Sequence, residues 1–278
     1  MNLHSIHTGN FKLDGGAMFG VVPKSIWQKL NTPDDDNLCT WAMRCLLIEE
    51  GNRLMLVDNG IGDKQDEKFL RHYHLHGDNS LEKPLAALGF SKDDITDVFL
   101  THLHFDHCGG SIVKKNDRME TAFKNATYWS NSRHWKWATE PNERERASFL
   151  KENILPIKES GQLKFIDTHA ADFPDHVQVR QVFGHTDAMM LPQVNYKGKT
   201  LLYMADLLPS VAHIPLPYVM AYDMFPLTTL QEKKSFLEES VENDTILFFE
   251  HDPHIECCTV QLTEKGVRRN ETFNLSEI

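Results

Sequence analysis

Apolar residues fall along this chain in short runs, and their spacing alternates between the periods of strands and helices. Residues 42–48 and 53–57 read as paired strands joined by a turn at 49–52. Further strands are expected at 97–100, 126–129, 163–166, 177–182, 201–204 and 245–249. Residues 193–196 and 199–204, joined through Lys197-Gly198, read as a second hairpin. Helical spacing marks 81–88, closed by Gly89 in a C-cap position, as well as 144–153 and 227–242, the last opened by Pro226 and Thr228. Strand pairs, then helices, then strands again predict an α/β protein in which two sheets pack face to face with helices outside. No linker rich in Pro, Gly or Ser divides the chain, so 1–278 reads as a single domain.

Composition narrows this picture. The 278 residues carry 29 Lys+Arg against 40 Asp+Glu, a formal charge of −11, with 41% hydrophobic residues. That mix is ordinary for a globular protein and excludes wholesale disorder or a coiled coil. The acidic balance argues against a nucleic-acid partner, because phosphate backbones need clustered Lys and Arg. No run of about 18 apolar residues is present, so no membrane span is expected. The first residues lack a basic segment followed by an apolar one, so no secretory signal is expected and a cytoplasmic location is. The five cysteines, Cys39, Cys45, Cys108, Cys257 and Cys258, are odd in number and suit reduced thiols. Fifteen histidines is a high count, and their placement is informative.

The chemistry concentrates in Thr101-His102-Leu103-His104-Phe105-Asp106-His107-Cys108-Gly109-Gly110, directly after the apolar strand ending at Leu100. At the end of an extended segment, positions i and i+2 point the same way, so His102 and His104 can share one ion. Asp106 and His107 lie where the chain must turn, and can serve a second ion beside the first. Gly109 and Gly110 are expected to let the backbone bend tightly and begin the next element without a Cβ clash. One histidine at a strand end is usually packed or hydrogen-bonded. Three histidines and an aspartate within six residues are costly to desolvate without a cation, and suit borderline metals.

His102-x-His104-x-Asp106-His107 resembles the signature of the metallo-β-lactamase superfamily. That resemblance implies an αββα four-layer sandwich of two mixed sheets, with the metal centre at one edge. It also implies the remaining ligands: His185 after the strand 177–182, Asp206 after 201–204, and His251 after 245–249. Carried over, His102, His104 and His185 would hold one ion, Asp106, His107 and His251 the other, with Asp206 bridging both. Asp58, after the strand 53–57, would orient a ligand imidazole. The cofactors implied are two divalent ions, zinc foremost, with Mn, Fe or Co equally compatible with His and Asp donors. Two such ions, less two ligand carboxylates and a bridging hydroxide, leave one positive charge to stabilise an oxyanion and to sharpen a bound water. Asp106 is placed to accept and pass on a proton.

Within the superfamily, several branches fit poorly. Diiron flavoproteins usually have Glu where His104 stands, classical β-lactamases lack the full second ligand set, and RNA-processing members carry basic surfaces. Glyoxalase II-like thioesterases add a C-terminal helical domain, whereas 27 residues follow His251. The chain instead resembles the N-acyl-homoserine lactonase and organophosphate-hydrolase branch, through Phe19-Gly20-Val21-Val22-Pro23-Lys24-Ser25-Ile26-Trp27 and Asp206-Leu207-Leu208-Pro209-Ser210-Val211-Ala212-His213-Ile214-Pro215. The resemblance implies that the first segment loops over the metals and the second lines the substrate pocket. It implies a lactonase acting on N-acyl-homoserine lactones by attack of a metal-bridging hydroxide, the activity known as quorum quenching. The alternatives are a phosphotriesterase or arylesterase on the same centre, or a metal-binding protein without catalysis. Its partner would be a small ester or lactone, and dimers among relatives imply a homodimer.

Many such lactonases place a Tyr three residues after the bridging Asp, where this chain has Pro209. The carbonyl-binding role is therefore open among His213, Tyr218 and Tyr222. Met18 and Phe19, beside Gly15 and Gly16, read as a mobile lip of the pocket. Tyr128, Trp129, Trp135 and Trp137 read either as an apolar acyl pocket or as core. Glu143-Arg144-Glu145-Arg146 reads as a solvated helix face.

Overall fold

Side chains of the central strands are apolar on both alternating faces, so each sheet needs cover on both sides. The computed structural model, which describes residues 1–278, supplies that cover as four layers. In chain order the strands are β1 (Asn2–Asp14), β2 (Leu38–Glu50), β3 (Arg53–Val57), β4 (Asp97–Phe99), β5 (Ile112–Lys115), β6 (Arg118–Thr121), β7 (Thr127–Ser130) and β8 (Leu163–Phe165). They continue with β9 (Val177–Val182), β10 (Met189–Tyr196), β11 (Lys199–Tyr203), β12 (Ile246–Phe248), β13 (Cys257–Thr263) and β14 (Gly266–Phe273). The helices are α1 (Gly15–Phe19), α2 (Lys24–Trp27), α3 (Glu67–His72), α4 (Glu82–Ala87), α5 (Phe105–Cys108), α6 (Ser132–Thr139), α7 (Lys151–Glu159) and α8 (Pro226–Glu242).

One sheet has the order β1-β2-β3-β4-β7-β8 and the other β14-β13-β12-β11-β10-β9, while β5 and β6 form a small separate ribbon. Both large sheets are mixed: β3, β4, β7 and β8 run parallel, as do β11 and β12, and the other pairs are antiparallel. Leu46, Ile48, Met55, Val57 and Phe99 face the second sheet and pack with Val182, Met189, Leu191 and Tyr203. The alternate residues Cys45, Leu47, Leu54, Leu56 and Val98 face outward, under Leu85 of α4, Trp135 of α6 and Ile154 and Ile157 of α7. Phe236 and Leu237 of α8 join the core on the far side of the second sheet. This is the αββα arrangement expected from the sequence. Every expected strand is present to within a few residues, and the 193–204 hairpin turns through Lys197 and Gly198, both at positive φ. All five cysteines are free and buried. No helix is long and apolar enough to cross a membrane.

Two elements depart from the sequence reading. The 13-residue strand β1 is absent from that reading, because a register shift between His7 and Asn10 interrupts its alternation of apolar and polar residues. The expected helix 144–153 is instead a single turn at Arg146–Ser148 followed by α7. The break frees Glu145 from a helical face and turns it inward, where it is 2% exposed.

Candidate metal centre

All seven candidate ligands sit where strands of the two sheets end at one rim. Beyond β4 the chain stays extended through His104 and then coils into α5, placing His102 and His104 on one side and Asp106 and His107 on the next turn. Gly109 follows at an ordinary φ of −61°, so of its two expected roles it serves the avoidance of a Cβ clash. A Cβ there would lie 2.1 Å from the carbonyl oxygen of Ile61, so glycine is required for close approach of the 59–61 backbone. His185 follows β9, Asp206 follows β11 and His251 follows β12. Donor atoms of His102, His104, His185 and Asp206 form one group, all within 4.8 Å of one another, and those of Asp106, His107 and His251 form another. Asp206 spans them: Oδ2 is 3.1 Å from His185 Nε2, and Oδ1 is 3.1 Å from His251 Nε2.

The protons on the five imidazoles can be assigned by asking what each outer nitrogen meets. His104 Nε2 is 2.9 Å from Glu145 Oε1, His185 Nδ1 is 2.8 Å from Asp223 Oδ1, and His107 Nδ1 is 3.1 Å from Asp58 Oδ2. His251 Nδ1 is 2.7 Å from the carbonyl oxygen of Ala42. Each of these oxygens accepts only, so each nitrogen donates. Thr101 Oγ1 donates to Asp58, leaving its lone pair for His102 Nδ1–H at 3.0 Å. In their neutral forms all five rings therefore turn a bare lone pair inward. His102 Nε2 and His104 Nδ1 lie 3.0 Å apart, His185 Nε2 and His104 Nδ1 3.2 Å, and His107 Nε2 and His251 Nε2 3.3 Å. Acceptors facing acceptors at hydrogen-bond distance repel unless a cation lies among them. The donor set thus fits two divalent ions: three imidazoles for one, two imidazoles and Asp106 for the other, and Asp206 shared.

The protein itself registers this shortage of positive charge. Burial opposes protonation of His185 and His251, yet Asp206 outweighs it and holds them up to about 10 and about 9. Burial likewise raises the Asp206 carboxyl, but His185, His251 and His107 hold it well below the usual range. Glu145 is raised by burial and lowered more by its bonds to His104 and to the Trp137 indole N–H, ending at about 2. Glu250 Oε2 lies 3.0 Å from His107 Nδ1, beside Asp58 and outside hydrogen-bond alignment. Burial pushes its carboxyl up to about 7.

A cavity of about 350 Å³ opens onto the rim. Its floor is His104, Asp106, His185, Asp206 and His251. Leu13, Met18, Phe105, Met220 and Met224 make its walls apolar, and Tyr73, Arg144 and Tyr222 add polar groups. Of the expected pocket residues, Met18 and Tyr222 are here. His213 is not: its Nε2 donates to the Met18 carbonyl at 2.9 Å and its Nδ1 accepts from Ser210 Oγ at 2.8 Å, leaving no nitrogen for substrate. Phe19 is not a lip but a fully buried plate, stacked between His213 at 4.7 Å and Trp27 at 5.4 Å. Tyr218 lines a separate depression with Ser210, Ala212 and Arg268. Tyr128, Trp129 and Trp135 belong to the core, and Trp137 binds Glu145, so the acyl-pocket reading of these aromatics does not hold.

Sequence reasoning missed Tyr73, Glu145 and Asp223. Tyr73 follows the short helix α3 with no motif around it, and burial beside Asp106 pushes its hydroxyl up to about 12. Nothing local distinguishes Asp223 from a loop residue.

A family model described as the metallo-beta-lactamase superfamily matches residues 44–251. No curated protein matches the sequence. Among solved structures, a probable metal-dependent hydrolase from Staphylococcus aureus is 26% identical, with a TM-score of 0.86 over 98% of this chain and 96% of that one. AidC, a dizinc quorum-quenching lactonase in complex with the product N-hexanoyl-L-homoserine, is 23% identical, with a TM-score of 0.80 over 98% and 95%. An N-acyl homoserine lactone hydrolase with the same product at its catalytic metal center is 21% identical, with a TM-score of 0.68 over 90% and 93%.

Proposed function

This chain belongs to the metallo-beta-lactamase superfamily, a hydrolytic family, and from that premise we propose that it is a dinuclear metal-dependent hydrolase that opens lactones and esters, N-acyl-homoserine lactones foremost. The observation that carries the reading is the convergence of five bare imidazole nitrogens and two carboxylates at one rim, where His104, His185, His251 and both carboxylates form the floor of a largely apolar cavity. Two bound divalent ions, zinc foremost, would supply a water activated from a pKa of 15.7 to about 7 and a polarised substrate carbonyl. Asp206 holds the two ligand groups in register through its two oxygens. Asp106, on the cavity floor, takes the proton of the attacking water and returns it to the leaving alkoxide. Tyr222 presents its hydroxyl from the wall to the carbonyl oxygen, the role the sequence left open. Leu13, Met18, Met220 and Met224 receive an acyl chain, because flexible thioether side chains adapt to an extended apolar ligand. The bound products of two structural neighbours support this substrate class.

The test is a comparison of kcat/KM on a medium-chain acyl lactone, an aryl ester and a dialkyl aryl phosphate, using protein of measured metal content. The lactone is expected to lead by at least about tenfold, roughly 1.4 kcal/mol of transition-state discrimination. Preference for the phosphate would replace the lactonase reading with the phosphotriesterase one. Background rates on all three with two ions bound would leave a metal site without this chemistry.

A further inference from the structure

Beneath the metal centre, the first turn of α6 spends every polar side-chain atom of His134 on the two loops that carry the first ligand group. His134 is 1% exposed. Its Nε2 accepts from the backbone N–H of Leu103 at 2.9 Å, and its Nδ1 donates to the backbone carbonyl of Asp187 at 2.7 Å. Leu103 stands between His102 and His104, and Asp187 stands two residues after His185. A single rigid ring therefore spans the segments that hold all three imidazoles of that group.

Its neighbours tighten the same span. Asn131 Oδ1 accepts from the His134 backbone N–H at 2.8 Å, while Asn131 Nδ2 donates to the Ala188 carbonyl at 2.8 Å. Arg133 grips the Asp187 carboxylate with two bonds of 2.7 Å. Ala188 is held at φ +58°, a conformation an alanine adopts only where its surroundings enforce it. The Met190 N–H donates to the Thr101 carbonyl at 2.8 Å, joining the two loops again directly below.

We propose that His134, with Asn131 and Arg133, is a positioning clamp that sets the separation of His102 and His104 from His185 and thereby the affinity of the first ion. The proposal rests on the metal-centre reading above and adds a residue that touches neither ion nor substrate. A side chain that merely filled space could be replaced by another of similar volume. Phenylalanine in place of His134 would leave the Leu103 N–H and Asp187 carbonyl unpaired and free to drift apart.

The test measures stepwise dissociation constants of cobalt(II) by chelator competition, for wild type, His134→Phe, His134→Gln and the reference variant His185→Ala. Wild type is expected to bind two ions. His134→Phe is expected to weaken, by about tenfold or more, the ion that His185→Ala abolishes, and to leave the other within about threefold. His134→Gln, which keeps an acceptor for Leu103, is expected to recover most of that loss. Equal weakening of both ions, no weakening, or glutamine no better than phenylalanine would overturn the clamp. Failure of wild type to bind a pair of ions would instead overturn the metal-centre reading, and the clamp with it. If His134→Phe does not melt cooperatively, Asn131→Ala and Arg133→Met decide. Selective weakening of the same ion supports the clamp, and unchanged constants refute it.

Discussion

Behind His107 and His251 stands the sheet framework itself: Asp58 follows β3, Glu250 follows β12, and Ala42 lends a backbone carbonyl from β2. Behind His104 and His185 stand Glu145 and Asp223, which come from the connections that also wall the cavity through Arg144, Ala147, Ser148, Tyr222 and Met224. One ligand group is therefore braced wholly by strand ends, whereas in the other His104 and His185 lean on loops that shape the pocket and only His102 reaches the sheet framework, through Thr101 and Asp58. Changes in the 140–148 and 215–224 connections are expected to alter substrate fit and first-ion geometry together, and to affect the second ion less.

The largest effect is expected from removing what the two groups share. Asp206→Asn removes the bridging charge and is expected to cost activity about a thousandfold, with most of both ions lost. His104→Ala should lose comparable activity by emptying the first group. Metal analysis that found two ions retained in both variants would contradict the ligand assignment. A sharper cut compares Glu145→Gln with Asp58→Asn. Glu145→Gln is expected to cost about 10- to 100-fold in affinity for the first ion, and Asp58→Asn as much for the second with a smaller loss for the first, because Asp58 also holds Thr101 against His102. Glu145→Gln should in addition shift KM, because its loop carries Arg144 and Ala147, whereas Asp58→Asn should leave KM alone. Equal KM shifts would erase the distinction between a loop-braced and a sheet-braced group.

The smallest effect lies outside both groups, at His213. Burial holds this imidazole down to about 3, from an ordinary value near 6.5. The unfolded chain therefore binds more protons than the folded one below pH 6.5, and the neutral ring's contribution is full above that value and falls as the pH drops. The stability lead of wild type over His213→Gln is expected to shrink by about 2 kcal/mol between pH 7 and pH 5 in denaturant melts. A lead independent of pH would mean that the ring is not held neutral between Ser210 and Met18. Metal content should stay at two ions in the variant, which separates this brace of the cavity wall from the braces of the ligands.

How far the chain can be read depends on whether a residue's partners lie near it in sequence. Strands β2, β3 and β9 to β12 announce themselves because burial on both faces imposes a short apolar run and burial on one face a local alternation. His102, His104, Asp106 and His107 announce themselves because burying four such polar side chains within six residues is costly unless a cation joins them. Strand β1 stays hidden where its bulge breaks that alternation. Glu145 reads as solvated in a run of alternating charges, since its partners His104 and Trp137 are apparent only once the helix is seen to break before Arg146. His213 reads as reactive because an isolated histidine after a bridging Asp gives no sign that both nitrogens are already engaged.

The layered α/β architecture, the donor chemistry of the rim and the superfamily resemblance are legible along the chain, because periodicity and ligand clustering are local. Which nitrogen of each histidine faces inward, which oxygen orients it, and which tyrosines reach the cavity emerge from folding alone. Those outcomes depend on contacts between residues about 40 to more than 200 positions apart, such as Glu145 with His104 and Ala42 with His251. A hydrogen bond is directional over a few tenths of an ångström, and no pattern along the chain encodes distances of that order until the two sheets have packed.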